Sequence, residues 1–187
     1  MASSHRRSAQ PLASRAQGIT VEFENVSAPA LRWLAHNRLV RPGWKTVWVS
    51  QNRLREKTFF ASHGLPLAPW KPVRTKDDLE PALRALGLPL ILKTAASGYD
   101  GKGQVRVKNA AELAAAWAGL KQAPCVLEKM LPLKAECSVI VARGWDGRIV
   151  SFAPQRNVHV DGILAVTQAY EGNMPVALAQ RALAATH

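Results

Sequence analysis

Lys93 closes a short apolar run, Leu88 to Lys93. A loop of eight residues follows, from Ala96 to Gly103, before Gln104 opens the next alternating stretch. Three glycines in that loop (Gly98, Gly101 and Gly103) can turn backbone N–H groups inward onto phosphate oxygens, where a Cβ would block the approach. The lysine adds a point charge for the same phosphates. Neither GxxxxGK[ST] nor GxGxxG is present, so this is not a Walker loop or the dinucleotide fingerprint. Alone, the segment also fits an ordinary tight turn between two strands. Thirty-five residues after Lys93 stands Glu128, in the segment LEKMLP, and eight residues later Glu136. Irregular backbone at a strand end can offer N–H and C=O to an adenine edge, and nearby carboxylates can hold ribose hydroxyls. Against this stands the plainer reading of both glutamates as solvated hairpin charges. Asn157, His159 and Asp161 recur at period two, which on a strand turns all three to one side.

The chain that must position these residues has 187 residues, 25 Lys+Arg against 13 Asp+Glu, and a net charge of +12. The excess is denser at the front: residues 1–60 carry ten basic and three acidic residues, leaving fifteen and ten for the remainder. No run of five or more basic residues occurs, which argues against a basic nucleic-acid arm. Trp33, Trp44 and Trp48, lying among Arg38, Arg41 and Lys45, make the best case for a nucleic-acid surface. Ordinary core and surface positions account for them more simply, so no nucleic-acid partner is expected. A hydrophobic content of 48% argues for a folded chain. Two cysteines, Cys125 and Cys137, cannot make a disulfide scaffold and suit a reducing cytoplasm. No apolar run reaches the length of roughly 18 residues that a membrane span needs.

Residues 1–18 are rich in Ser, Ala and Arg, with no acid before Glu22, and are expected to form a disordered basic leader. The pattern beyond predicts a strand over 19–23, a short helix from Ala28 capped by Ser27, and a break at 41–43. Helices are expected over 51–63, from Thr75 to Gly87 with Asp78 in a capping box, and over 110–120. Residues 65–71 read as an extended connector. Strands are expected over 88–93, 104–107, 125–127, 138–141, 149–152 and 164–170, with a hairpin turn at 145–148 and a last helix over 175–186. This order is α+β: helices covering mostly antiparallel sheets.

The segments VEFENV (21–26), QNRLREKTF (51–59), GLPLAPW (64–70), LKTAASGYDGKGQ (92–104), LEKMLPLKAECSVIVARG (127–144) and NVHVDGIL (157–164) occur in one order. In sequence and spacing they resemble the 5-(carboxyamino)imidazole ribonucleotide synthases, ATP-grasp ligases of purine biosynthesis. GYDGKGQ together with N-x-H-x-D-G-I-L is the most specific part, and the resemblance covers residues 19–174. It implies ATP-dependent carboxylation of 5-aminoimidazole ribonucleotide with bicarbonate through carboxyphosphate, in the cytoplasm, by a homodimer. It implies that Arg53 and Lys93 contact the ATP phosphates and that Gly98, Gly101, Gly103 and Gln104 belong to a lid over them. Tyr99, Asp100 and Lys102 would serve the bicarbonate or imidazole side. Glu128, Lys129, Met130 and Leu131 would form the adenine hinge, Glu136 would bind ribose, and His159 would lie at the nucleotide.

The chain departs from the family pattern. A GQLGRM-type first turn and an N-E-x-A-P-R-x-H-N-S-G-H segment are absent, and Arg156 stands where the family usually has Glu. The expected organisation is therefore a leader over 1–18, a remnant of a nucleotide-fold-like domain over 19–50, and a partial ATP-grasp domain over 51–187 with its lid at about 93–165. The resemblance implies an incomplete, ATP-grasp-like fold and a fragment weak or inactive alone, with the Mg²⁺ ligands outside this chain and no metal ligand in it. Two other readings compete: a different ATP-grasp carboxylase or formyl-transferring ligase, and a non-enzymatic basic module binding nucleotide or nucleic acid.

Overall fold

The computed structural model describes residues 2–96, 98, 103–160 and 162–186, with side chains from residue 9 onward. Tyr99, Asp100, Gly101, Lys102 and Asp161 lie outside the described residues. The described residues part into two compact units, one over 2–98 and 103–130, the other over 131–186. The domain boundary expected at residue 50 falls inside the first.

The first unit opens with helix α1 (Ala2–Arg15), where the composition predicted a disordered leader. Alanines correct that expectation: Ala9 is buried, and Ala13 packs on the same cluster of Ile19, Leu31, Leu34, Val40 and Val47. Small side chains let α1 approach α2 (Ala28–Leu34), whose first turn Ser27 caps by accepting from the Ala30 amide. Strands β1 (Gly18–Ile19) and β2 (Leu39–Val40) pair in parallel beside them. Helix α3 (Trp44–Ser50) was not foreseen in the sequence; it runs on Gly43 as N-cap and buries Val47. Helix α4 (Arg53–Ser62) begins at Asn52, whose side-chain oxygen accepts from the Leu54 and Arg55 amides.

The main sheet is built from β3 (Trp70–Val73), β4 (Leu90–Thr94), β5 (Gln104–Val107) and β6 (Cys125–Lys129), in the order β3-β6-β4-β5 and antiparallel throughout. The prolines of 65–71 suggested only a connector. Pro72 nevertheless sits in β3, because β3 is an edge strand and the missing N–H interrupts no inner ladder. Helices α5 (Leu79–Leu86) and α6 (Ala110–Gly119) cover one face. Asp78 closes the expected capping box by accepting from the Thr75 amide. Leu90 and Leu92 of β4 and Cys125 and Leu127 of β6 point into that core beside Val73, Val107 and Trp117. Each of these leucines is fully buried, which contributes about 2 kcal/mol apiece relative to exposure. By strict alternation, Lys93 and Glu128 then emerge on the other face.

The second unit carries β7 (Glu136–Ser138), β8 (Val141–Arg143), β9 (Ile149–Ser151), β10 (Gln155–Val160), β11 (Ile163–Gln168) and α7 (Val176–Ala184). The continuous strand expected over 138–141 is split. Ser138 pairs with Gln155 of β10 while Val141 pairs with Ser151 of β9, so the chain changes partners between them. The hairpin turn is as expected: Gly147 takes φ +84°, and the Arg148 amide donates to Asp146.

Candidate nucleotide site

Lys93 pairs in register with Val126, so Glu128, two residues on, is its diagonal neighbour on the same face. The Lys93 ammonium donates to Glu128 Oε2 at 3.0 Å, and Lys57 of α4 holds Oε1 at 3.2 Å. Glu128's side chain is only 10% exposed. The solvated-charge reading of Glu128 is therefore replaced by a carboxylate clamped between two lysines. Such a group is tolerated in a dry environment only because it is paired on both oxygens.

Helix α4 starts where β4 ends. The Arg53 amide donates to the Ala95 carbonyl at 2.8 Å, and its guanidinium donates to the Thr94 carbonyl at 2.8 Å. Arg53 and Glu56 line a polar cleft of about 230 Å³ with Glu24, Gln51, Ala96 and Gly98. Burial pushes the Glu56 carboxyl up, opposed by the charges of Arg53 and Lys57. The far side of the glycine loop closes back on β4: the Thr94 amide donates to the Gly103 carbonyl at 2.8 Å. Gly103 has φ +80°, and a Cβ there would lie 2.7 Å from Thr94 Oγ1. That hydroxyl is buried with no hydrogen-bond partner among the described residues. The first unit thus brings Arg53, Lys93, Gly98 and Gly103 to one end of the sheet. Gln104 pairs with Lys93 in the ladder.

The residues expected at the adenine hinge are arranged less simply. The Lys129 and Met130 amides donate to the Pro69 and Pro89 carbonyls, at 2.8 and 3.0 Å. The Lys129 ammonium turns to the other face and holds the Gly87 and Leu88 carbonyls at the end of α5, at 3.1 and 2.6 Å. Leu131 is exposed and begins the second unit.

Within the second unit, Glu136 stands opposite Asn157 across β7 and β10. His159 Nδ1 meets Glu136 Oε2, and Asn157 donates to Ser138 Oγ at 3.1 Å. Asn157 and His159 therefore work along one face despite a bulge between Val158 and His159. Arg156 faces a separate pocket of about 280 Å³ with Cys137, Asn173 and Met174.

Lys57 escaped notice in the sequence. The available signal was its spacing, four residues after Arg53 on one helical face. Among the described residues no group of three or more His, Cys, Asp or Glu side chains is placed to hold a metal ion. No helix among them is long and apolar enough to cross a membrane. Burial pushes the Cys125 thiol up to about 11, which makes it an inert core residue. Two of the three tryptophans of the basic front carry cations of the chain itself: Arg32 and Lys45 on Trp44, and Arg55 on Trp48 at 4.2 Å.

A strand-end lysine thus faces a buried glutamate, and a glycine loop returns between two antiparallel strands. The ATP-grasp domain model matches residues 58–186, and the chain belongs to that family. It is 40% identical over 159 residues to the N5-carboxyaminoimidazole ribonucleotide synthase of Bacillus subtilis, covering 85% of this chain and 42% of the relative. It superposes on the ADP complex of an N5-carboxyaminoimidazole ribonucleotide synthetase with a TM-score of 0.89 at 34% identity, covering 96% of this chain and 48% of that one. The Aspergillus clavatus synthase, in complex with ADP and 5-aminoimidazole ribonucleotide, matches with a TM-score of 0.84 at 25% identity, over 96% of this chain and 47% of that one. The chain thus spans less than half the length of each of these proteins.

Proposed function

We propose that this chain serves the ATP-dependent carboxylation of 5-aminoimidazole ribonucleotide with bicarbonate, a C–N bond-forming step of purine biosynthesis in the cytoplasm. The observation that carries this reading is the convergence of Arg53 and Lys93 beside Gly98 and Gly103 at the end of the sheet, in a chain so similar to N5-carboxyaminoimidazole ribonucleotide synthases. Arg53 and Lys93 contact the ATP phosphates, and residues 98–104 form the lid. Glu128 to Leu131 meet the adenine; Glu136 binds ribose, with His159 beside the nucleotide. Tyr99, Asp100 and Lys102 serve bicarbonate or the imidazole. Phosphoryl transfer to bicarbonate needs fixed positive charge over the γ-phosphate, and carboxyphosphate must be kept from water. Two cations and a glycine-hinged loop suit both needs. Mg²⁺ would neutralise phosphate charge in such a reaction. The working form is a homodimer.

A nucleic-acid surface is the weaker reading, because Trp44 and Trp48 already stack against the chain's own Arg32, Lys45 and Arg55. The test is phosphate release from ATP. Release that requires both bicarbonate and 5-aminoimidazole ribonucleotide is expected, and release indifferent to the ribonucleotide overturns the proposal. Where release is undetectable, titration with ADP decides: saturable 1:1 binding is expected, and no binding overturns the reading.

A further inference from the structure

The geometry points to Lys57 as a positioning residue that leaves a surplus positive charge at Lys93, acting through Glu128. This rests on the nucleotide reading of that end of the sheet. Glu128 offers one negative charge to two ammonium groups, Lys57 on Oε1 at 3.2 Å and Lys93 on Oε2 at 3.0 Å. The trio therefore carries a net +1. Arg53 and Glu56, on the same helix, are of opposite sign and add no net charge to the trio. Without Lys57, Glu128 and Lys93 would form a neutral pair, and the attraction of Lys93 for a phosphate would fall. The effect is felt strongly here because the carboxylate lies out of water.

The two lysines are not equivalent. The Lys57 side chain is 13% exposed and that of Lys93 is 25% exposed. Lys93 is the more open of the two, while Lys57 lies against the carboxylate's other oxygen. Lys57 also follows Arg53 by four residues, so one face of α4 carries both. The turn that anchors Arg53 to the Thr94 carbonyl thereby brings Lys57 to Glu128.

The experiment uses the full chain with ADP as the probe, in the wild type, Lys57→Met, Lys57→Arg, Glu128→Gln and the Lys57→Met/Glu128→Gln double variant, each checked for folding by circular dichroism. Lys57→Met is expected to weaken ADP binding about tenfold, within the range that contacting residues couple. Lys57→Arg is expected to stay within about twofold of the wild type, and the Lys57→Met effect is expected to shrink to about twofold or less in the Glu128→Gln background. A full loss that persists in that background, or an arginine variant as weak as the methionine one, overturns the proposal. Should the methionine variant fail to fold, Lys57→Gln carries the same comparison. A second readout needs no nucleotide: competitive labelling of the Lys93 amine with acetic anhydride. Labelling is expected to slow about threefold or more when Lys57 is replaced, since Glu128 then holds Lys93 alone. Unchanged labelling overturns the proposal. A wild-type chain that binds no ADP removes the nucleotide reading, and the labelling then still decides the coupling.

Discussion

Gly103 returns so closely on Thr94 that a methyl group on its Cα would lie 2.7 Å from the threonine hydroxyl. The same glycine holds φ +80°, where an L side chain is strained. Gly103→Ala is therefore expected to cost about 1–2 kcal/mol of stability, from backbone strain and contact together. Urea unfolding of the variant beside the wild type measures it. Thr94→Ser, which keeps the hydroxyl, should not relieve the loss, whereas Thr94→Ala should relieve part of it. An alanine variant as stable as the wild type would show that the approach is looser than this.

Glu128 makes the opposite kind of prediction, about charge. Replacing it by alanine leaves Lys57 and Lys93 facing one another without their shared carboxylate. Removing one partner of a buried ion pair costs about 3–5 kcal/mol. Both lysines keep some solvent, so about 2–3 kcal/mol is expected here. The double change Glu128→Leu/Lys57→Met should recover much of the loss. Chemical denaturation of the three proteins is the check. A single variant that unfolds at the wild-type midpoint would contradict the clamp.

Two carboxylates should leave opposite marks on the pH dependence of stability. The Arg74 and Thr75 amides donate to Asp78 and hold its carboxyl below its ordinary 3.8. A lowered native value adds stability that is present above 3.8 and is lost as pH falls through the native value. Burial raises Glu56 above its ordinary 4.5. A raised value adds stability only below 4.5, and that stability is lost as pH rises through the native value. Glu56→Gln should therefore be more stable than the wild type at pH 7, with the gap closing near pH 4. Asp78→Asn should be less stable at pH 7 and should lose less below pH 4. Thermal melts across pH 3–8 measure both, and the reverse ordering would refute the assignment.

How much of this was legible in the sequence depends on whether the signal was local. The apolar run Leu88–Lys93, the cap at Ser27 and the capping box of Thr75 and Asp78 are local, and the strand and helices they imply are present. Lys93 at its strand end was equally plain. Lys57 was not, because a lysine in RLREKTF reads as a solvated helix residue until Glu128, far along the chain, is brought against it. Helix α1 was missed because Ser and Arg dominate its composition, whereas its docking depends on Ala9 and Ala13. The split between β7 and β8 was missed because strand partners, not propensity, decide where Ser138 and Val141 go. His159 and Glu136 were each singled out separately; their pairing with one another needed the register of β7 and β10.

The sheet end marked by Lys93 is proposed to bind nucleotide phosphate. Calorimetric titration of ADP into the full chain and into Lys93→Met tests it most directly. Saturable binding by the wild type is expected, with at least about tenfold weaker binding by the variant, the scale of one lost charge-assisted phosphate contact. Equal affinity in the two proteins, with both folded, would contradict it.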